Sequence, residues 1–347
     1  MADHRTFNWI ILSPFLLLFC FLTLSPSSLT IVAKGKLTTT SDLPPRTRPI
    51  VIAVVPKSLD NPLFIDAKEA AELAARKQNV VLEWVAPFKV DPDAQVKVIE
   101  GLIWRKVDGI AISCSDPAKI RGVIAKAAAA GIKVVTMDAD CPNSKRIFYC
   151  GTDNYKAGWA CGEAMAKILT KKGWTAKKLN TAVLTGGIEA DNLNERIRGF
   201  KDAVAAAQIK LNYKALLACN DDISTGAKVV EAYIKNHPET QVFYFAGGWA
   251  FLGPAESMPL YQEWCNHGGI AVSMDTAFSV IQAAQKGFAQ ALVGQDFRRM
   301  GELTVNYLVC AVKGLPIPDK FIDSGLERAD PSNYDQLLKT KKPWDVK

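Results

Sequence analysis

The chain has 347 residues, 49% apolar and 22% charged, with 42 Lys and Arg against 35 Asp and Glu for a formal net charge of +7. That length exceeds one small core and suits two domains, and an ordinary charged fraction with ample apolar content excludes bulk disorder. The basic residues are scattered, densest at Lys339-Thr340-Lys341-Lys342 in a polar tail, so no basic stripe marks a nucleic-acid surface.

The N-terminus reads as a separate object. His4 and Arg5 precede the apolar stretch Trp9–Leu24, and Ser25-Pro26-Ser27-Ser28 follows, the order of a secretory signal. Residues 1–33 are therefore expected to be a signal peptide, with an uncleaved membrane anchor as the alternative, and the polar, proline-bearing residues 34–48 a linker. Cys20 follows Phe19, where a lipoprotein signal needs a small residue, so lipidation is not expected.

The mature pattern opens with the apolar run Ile50–Val55, a strand buried on both faces, followed by Pro56-Lys57-Ser58-Leu59-Asp60-Asn61-Pro62, which cannot continue it. A helix starts at Leu63. Further strands are expected over 79–84, 107–114, 132–137 and 147–150, with helices over 91–106, 118–130 and 155–171 between or after them. Asp116 and Asn154 stand where helix N-caps belong. A second alternation follows, with strands at 181–184, 212–217, 241–245, 269–274 and 289–294 and helices at 192–206, 224–236, 254–266, 276–286 and 298–313. The chain closes on 316–325 and a polar tail. Repeated strand and helix alternation is the pattern of doubly wound parallel sheets, here two α/β domains of similar size.

The signatures of common enzymes are missing. The sequence holds no GxSxG elbow, no HExxH, no phosphate loop and no glycine-rich dinucleotide turn after the first strand. His4, His237 and His267 have no partner at catalytic spacing. Of the eight cysteines no two form a CxxC pair, so neither a catalytic residue, a metal nor a cofactor is expected. Cys141 and Cys150 flank a short polar turn and a strand and are candidates to pair in an oxidising compartment. Cys114, Cys161 and Cys310 read as small buried apolar residues.

Instead, the strand ends carry carboxylates, amides and aromatics: Asp60-Asn61, Ser113 and Ser115, Asp138 and Asp140, Asn192 and Asn194, Trp249, Asp275 and Gln295. Ligands of open parallel sheets sit at the carboxyl ends of the strands. Carboxylates and amides there suit hydroxyl groups, and aromatic faces suit the C–H patches of a sugar ring. Each has a plainer structural role available: Asp60 and Asn61 a turn, Asn154 and Asn192 caps, Trp249 core.

Over about residues 49–333 the chain resembles the exported sugar-binding proteins of the ribose/galactose type, the solute receptors of ABC importers. The resemblance rests on Leu59-Asp60-Asn61-Pro62-Leu63-Phe64, on Asp138 after Val134-Val135-Thr136-Met137, and on Gly151-Thr152-Asp153-Asn154 with Ala157-Gly158. It continues at Asn194-Glu195-Arg196 with Gly199-Phe200, at Met274-Asp275 and at Gln295. Departures are Ala139 where ribose binders carry arginine, Asn194 likewise, and Gly248-Trp249 in place of Asn-Asp, which leaves the sugar open.

The resemblance implies a periplasmic binding protein fold of type I, two doubly wound parallel-sheet lobes joined by a three-crossing hinge. One lobe would be 50–152 plus 296–323 and the other 153–295 plus 324–347. Asn61, Phe64, Ser113 and Asp138 would reach the ligand from the first lobe, Asn194, Trp249 and Asp275 from the second, and Gln295 from the hinge. A monomer in the periplasm or cell envelope would then hand its small sugar or polyol to a membrane permease, with a chemoreceptor as a further partner. The rivals are a sensory ligand-binding domain, a hydrolase using Asp138 and Asp275, and the effector core of a repressor.

Overall fold

A computed structural model describes residues 48–341 and 343. The expected signal peptide, most of the linker and the last residues lie outside the described residues. Among the described residues no helix is long and apolar enough to cross a membrane.

The chain runs β1 (Val51–Val55), α1 (Phe64–Lys77), β2 (Val81–Trp84), α2 (Pro92–Trp104), β3 (Gly109–Ile112), α3 (Pro117–Ala129), β4 (Lys133–Met137), β5 (Tyr149–Gly151) and α4 (Asn154–Lys171). It continues through β6 (Leu179–Thr185), α5 (Asp191–Ala206), β7 (Leu211–Ala218), α6 (Ile223–Asn236), β8 (Val242–Phe245), α7 (Trp249–Leu252), α8 (Pro259–Asn266), β9 (Ile270–Met274), α9 (Phe278–Gln285) and β10 (Ala291–Gln295). It ends with α10 (Phe297–Val312), β11 (Phe321–Asp323), β12 (Leu326–Ala329) and α11 (Tyr334–Leu338).

Two six-stranded sheets result, ordered β2-β1-β3-β4-β5-β11 and β7-β6-β8-β9-β10-β12. All pairings are parallel except β10 with β12. The chain passes from one sheet to the other three times: between β5 and β6, after β10, and between β11 and β12. Each sheet is covered on both faces. In the first, Ile52 and Val54 belong to the apolar cluster under α1 and α10, whereas Ala53 and Val55 belong to the one under α2 and α3. Alternate residues of a strand point to opposite faces, so burial on both sides requires the unbroken apolar runs seen in the sequence.

Helix starts follow local chemistry. Asp91 and Asp116 accept hydrogen bonds from the first free N–H groups of α2 and α3, each with proline at the opening position. The cap of α4 is Asp153, not Asn154: its carboxylate accepts from the Lys156 N–H at 3.0 Å.

Three expectations change. The helix expected over 254–266 is broken into a 3-10 turn at Ala255–Ser257 and α8, with the short α7 before it, because Pro254 and Pro259 lack N–H donors and restrict the residues before them. The segment after residue 316 contributes edge strands to both sheets rather than a tail alone. The Cys141–Cys150 pair does not form. Cys150 points into the cluster under α10, where its thiol donates to the Met300 carbonyl at 3.7 Å, and Cys141 lies in the cluster under α3, on the other face of the sheet. All cysteines among the described residues are free thiols.

Candidate ligand-binding site

The carboxyl ends of both sheets face one cleft. Its main cavity, about 560 Å3, is lined from the first lobe by Lys57, Ser115, Ala139, Asp140 and Tyr149, among others. The second lobe and the first crossing contribute Asn154, Gly186, Asp191, Asn192, Glu195 and Asp221. That volume lies within the range of small-molecule sites. A neighbouring pocket at the cleft mouth holds Asp60, Asn61, Lys89, Asp221 and Asp222.

Asp138 follows β4 with φ +58°, and Asp275 follows β9 with φ +74°. This left-handed backbone is one that Asp tolerates better than most residues, and it turns the side chain out of the strand direction. Both carboxylates are buried and held. The Ser113 hydroxyl donates to Asp138 Oδ2 at 2.6 Å. Asp275 Oδ2 accepts from the Gly248 N–H at 2.8 Å, and its Oδ1 accepts from Gln295 Nε2 at 3.1 Å. The Oε1 of Gln295 is buried with no hydrogen-bond partner among the described residues. Burial pushes the Asp138 carboxyl above its ordinary range, against the pull of Lys57, the Ser113 hydroxyl and Arg196.

The other expected residues divide. Ser113 stands beside Asp138, and Asn61 sits at the cleft mouth, where its Oδ1 accepts from the Leu63 N–H at 3.0 Å in a turn. Phe64 is a correction: it is buried in the first lobe's core, edge-on to Phe297 at 5.7 Å, because it begins α1 on the helix's inner face. Trp249 is another. Its indole belongs to the second lobe's core, 7% exposed, packed where the Cα hydrogens of Gly186 and Gly247 leave room. It backs the cleft wall from behind and presents no open face for stacking.

Asn194 is exposed and ties its amide to the Ile188 carbonyl at 2.9 Å. With α5 beginning at Asp191, positions 192, 195 and 196 share the helix face toward the cleft, and 194 does not. Arg196 is buried on that face. Its Nε donates to Asn154 Oδ1 at 2.8 Å and its Nη1 to the Ala246 carbonyl at 2.9 Å.

Other residues at the cleft escaped the sequence reading. Asn154, read there only as a cap, lines the cavity together with the strand-end candidate Asn192. Lys57 reaches across the cleft to Asp221 at 3.5 Å, and Lys89 to Asp222 at 4.0 Å. Leu63 packs against core clusters of both lobes. Lys57 stands in the first strand's turn, the stretch that marks the site, but lysine there carried no signal beside Asp60-Asn61.

Burial lowers the Lys57 ammonium, yet Asp221 and then Asp138 outweigh it, so its pKa lies above the ordinary value. Its stabilising contribution is complete below the unfolded-state pKa and is lost as pH rises through the higher folded value. Lys57→Met is expected to weaken ligand binding by about 1–3 kcal/mol, between the exposed and buried limits for an ion pair. Titration calorimetry of the Lys57 and Asp221 single and double variants checks this; strictly additive losses would mean that the pair contributes nothing.

The sequence profile of the periplasmic binding protein domain matches residues 52–316. The chain belongs to that family. The ribose import binding protein RbsB of Escherichia coli is 26% identical over 296 residues, spanning 85% of this chain and 89% of that protein. The D-ribose/D-allose-binding protein of Pseudomonas aeruginosa is 29% identical over 216 residues, 60% of this chain and 65% of its own. A solved ABC transporter solute-binding protein of Burkholderia graminis, in complex with D-arabinose, has a TM-score of 0.75 and 32% identity, covering 83% of this chain and 98% of that one. The two lobes described above are thus those of a periplasmic binding protein.

Proposed function

We propose that this periplasmic binding protein is the exported solute receptor of an ABC sugar importer. It takes a small sugar or polyol between its lobes and delivers it to a membrane permease, with no bond made or broken. The observation that carries the reading is the matched pair Asp138 and Asp275. Each stands at the end of an inner strand of its own sheet, in left-handed backbone, with its carboxylate fixed by a neighbouring donor. Preset acceptors of this kind recognise hydroxyls without reorganising, and hydrogen bonds to charged groups contribute about 1.5–3 kcal/mol each. The unpartnered Gln295 Oε1 adds a further acceptor beside Asp275. The relatives named above support a sugar as the guest.

A thermal-shift screen of the purified protein against pentoses, hexoses, deoxy sugars and inositols tests the proposal. One of these classes is expected to raise Tm progressively, a ligand at a hundredfold excess over Kd adding about 2.7 kcal/mol of stability. No shift with any of them, or turnover of a sugar conjugate, would overturn it.

A further inference from the structure

The ends of β3 and β4 carry a pair of thiols to which the proposed sugar site assigns no hydrogen bond. Cys114 stands two residues past β3 and Cys141 four past β4. Both are buried in the same apolar cluster beneath α3. The backbone brings the two segments together. The Cys114 N–H donates to the Ala139 carbonyl at 3.0 Å, and the Cys141 N–H is held by Asp140 Oδ1 at 2.7 Å. Cys141 Sγ lies 3.6 Å from the Pro117 carbonyl oxygen, three residues beyond Cys114, and the two thiols are near enough to perturb each other. Cys114 lines the main cavity, which gives the pair a route to solvent.

We propose that Cys114 and Cys141 form a reversible disulfide, a redox modification site that joins the loop carrying Ser113 to the loop carrying Asp138. The two cysteines differ in access. Cys114 lines the cavity and Cys141 is fully buried behind it, so Cys114 is the sulfur an oxidant reaches, reacting as its thiolate. Its sulfur attacks an oxidant of the disulfide class, breaking that S–S bond and releasing one thiol. The Cys141 sulfur then displaces the second half of the oxidant from Cys114, and the departing thiolate takes the Cys141 proton. Two electrons and two protons pass to the oxidant, which leaves as two thiols, and one S–S bond forms in the protein.

Once formed, the bond fastens the Ser113–Asp138 hydrogen bond from below. The proposal stands on these contacts whatever the ligand is, so a failed sugar screen would leave it intact. The test is incubation of the full chain with oxidised glutathione, followed by intact mass measurement, thiol alkylation and non-reducing peptide mapping. The expected product is lighter by two hydrogens, has lost two alkylation sites, yields a linked peptide holding Cys114 and Cys141, and reverts with dithiothreitol. Cys150→Ser should behave as the parent, and Cys141→Ser should not form the bridge. A bridge between other cysteines, or both thiols still open to alkylation after oxidation, would overturn the proposal. The map of the parent chain decides this even if a variant fails to fold.

Discussion

Asp138→Asn is expected to weaken ligand binding by about 1.5–3 kcal/mol, roughly ten- to a hundredfold in Kd, while leaving the ligand-free protein at least as stable as the parent. The two effects separate because of where the carboxylate stands. Its left-handed backbone, φ +58°, is one that Asn adopts readily. The amide oxygen can still accept from the Ser113 hydroxyl, which now donates at 2.6 Å. What is lost is the charge offered to ligand hydroxyls, together with the cost of burying it.

The pH dependence should show that cost directly. The folded-state pKa of Asp138 lies above the unfolded value because burial penalises the anion. Between those two values the folded chain holds more protons than the unfolded one, so the parent loses stability as pH rises through the window. Asn does not titrate. The variant's advantage in urea unfolding should therefore grow from the unfolded carboxyl value, about 3.9, and level off above the folded one. Parent-like affinity, or an advantage that shrinks with rising pH, would remove Asp138 from the proposed role.

The second large effect lies away from the ligand. A Cβ on Gly158 of α4 would sit 1.9 Å from the Arg196 carbonyl oxygen on α5, and one on Gly199 would sit 2.1 Å from the Tyr155 carbonyl oxygen. The two helices cross backbone to backbone, and no flexible side chain can give way. Gly158→Ala should therefore cost about 3 kcal/mol or more, at the upper end for overpacking. It should also disturb the Arg196–Asn154 hydrogen bond at 2.8 Å, since Arg196 and Asn154 ride on the helices being pushed apart. Gly101→Ala in α2 is the control. Nothing lies within 4 Å of its added Cβ, so the higher helix propensity of alanine should stabilise by up to about 1 kcal/mol. Urea unfolding of both variants checks the contrast, and equal losses at the two positions would contradict the close-approach account.

Much of the molecule was legible before any coordinates. The apolar runs that become β1, β3 and β9 read as strands because both faces of each are covered, and Asp91 and Asp116 cap their helices through local hydrogen bonds. The tips Ser113, Asp138, Asp275 and Gln295 stood out as polar groups where strands stop. What stayed hidden depended on partners distant in sequence. β11 and β12 are short strands with partly exposed residues, and they become strands only because β5 and β10 offer unpaired edges. Trp249 and Phe64 look like ligand-facing rings in the sequence, yet the glycines at 186 and 247 and the Phe297 ring draw them into the cores.

Patterning and local chemistry, read along the chain, determined the alternation of strands and helices, the two-sided burial of the sheets and the polar groups that stand where the strands end. Only the tertiary structure decided that Arg196 is buried beside Asn154 while Asn194 is exposed, that Lys57 meets Asp221, and that Cys141 shares a core cluster with Cys114 rather than with Cys150. The physical reason is common to all three. Helical phase, strand facing and the approach of one lobe to the other are set by where whole elements pack, and neighbours in sequence carry no record of it.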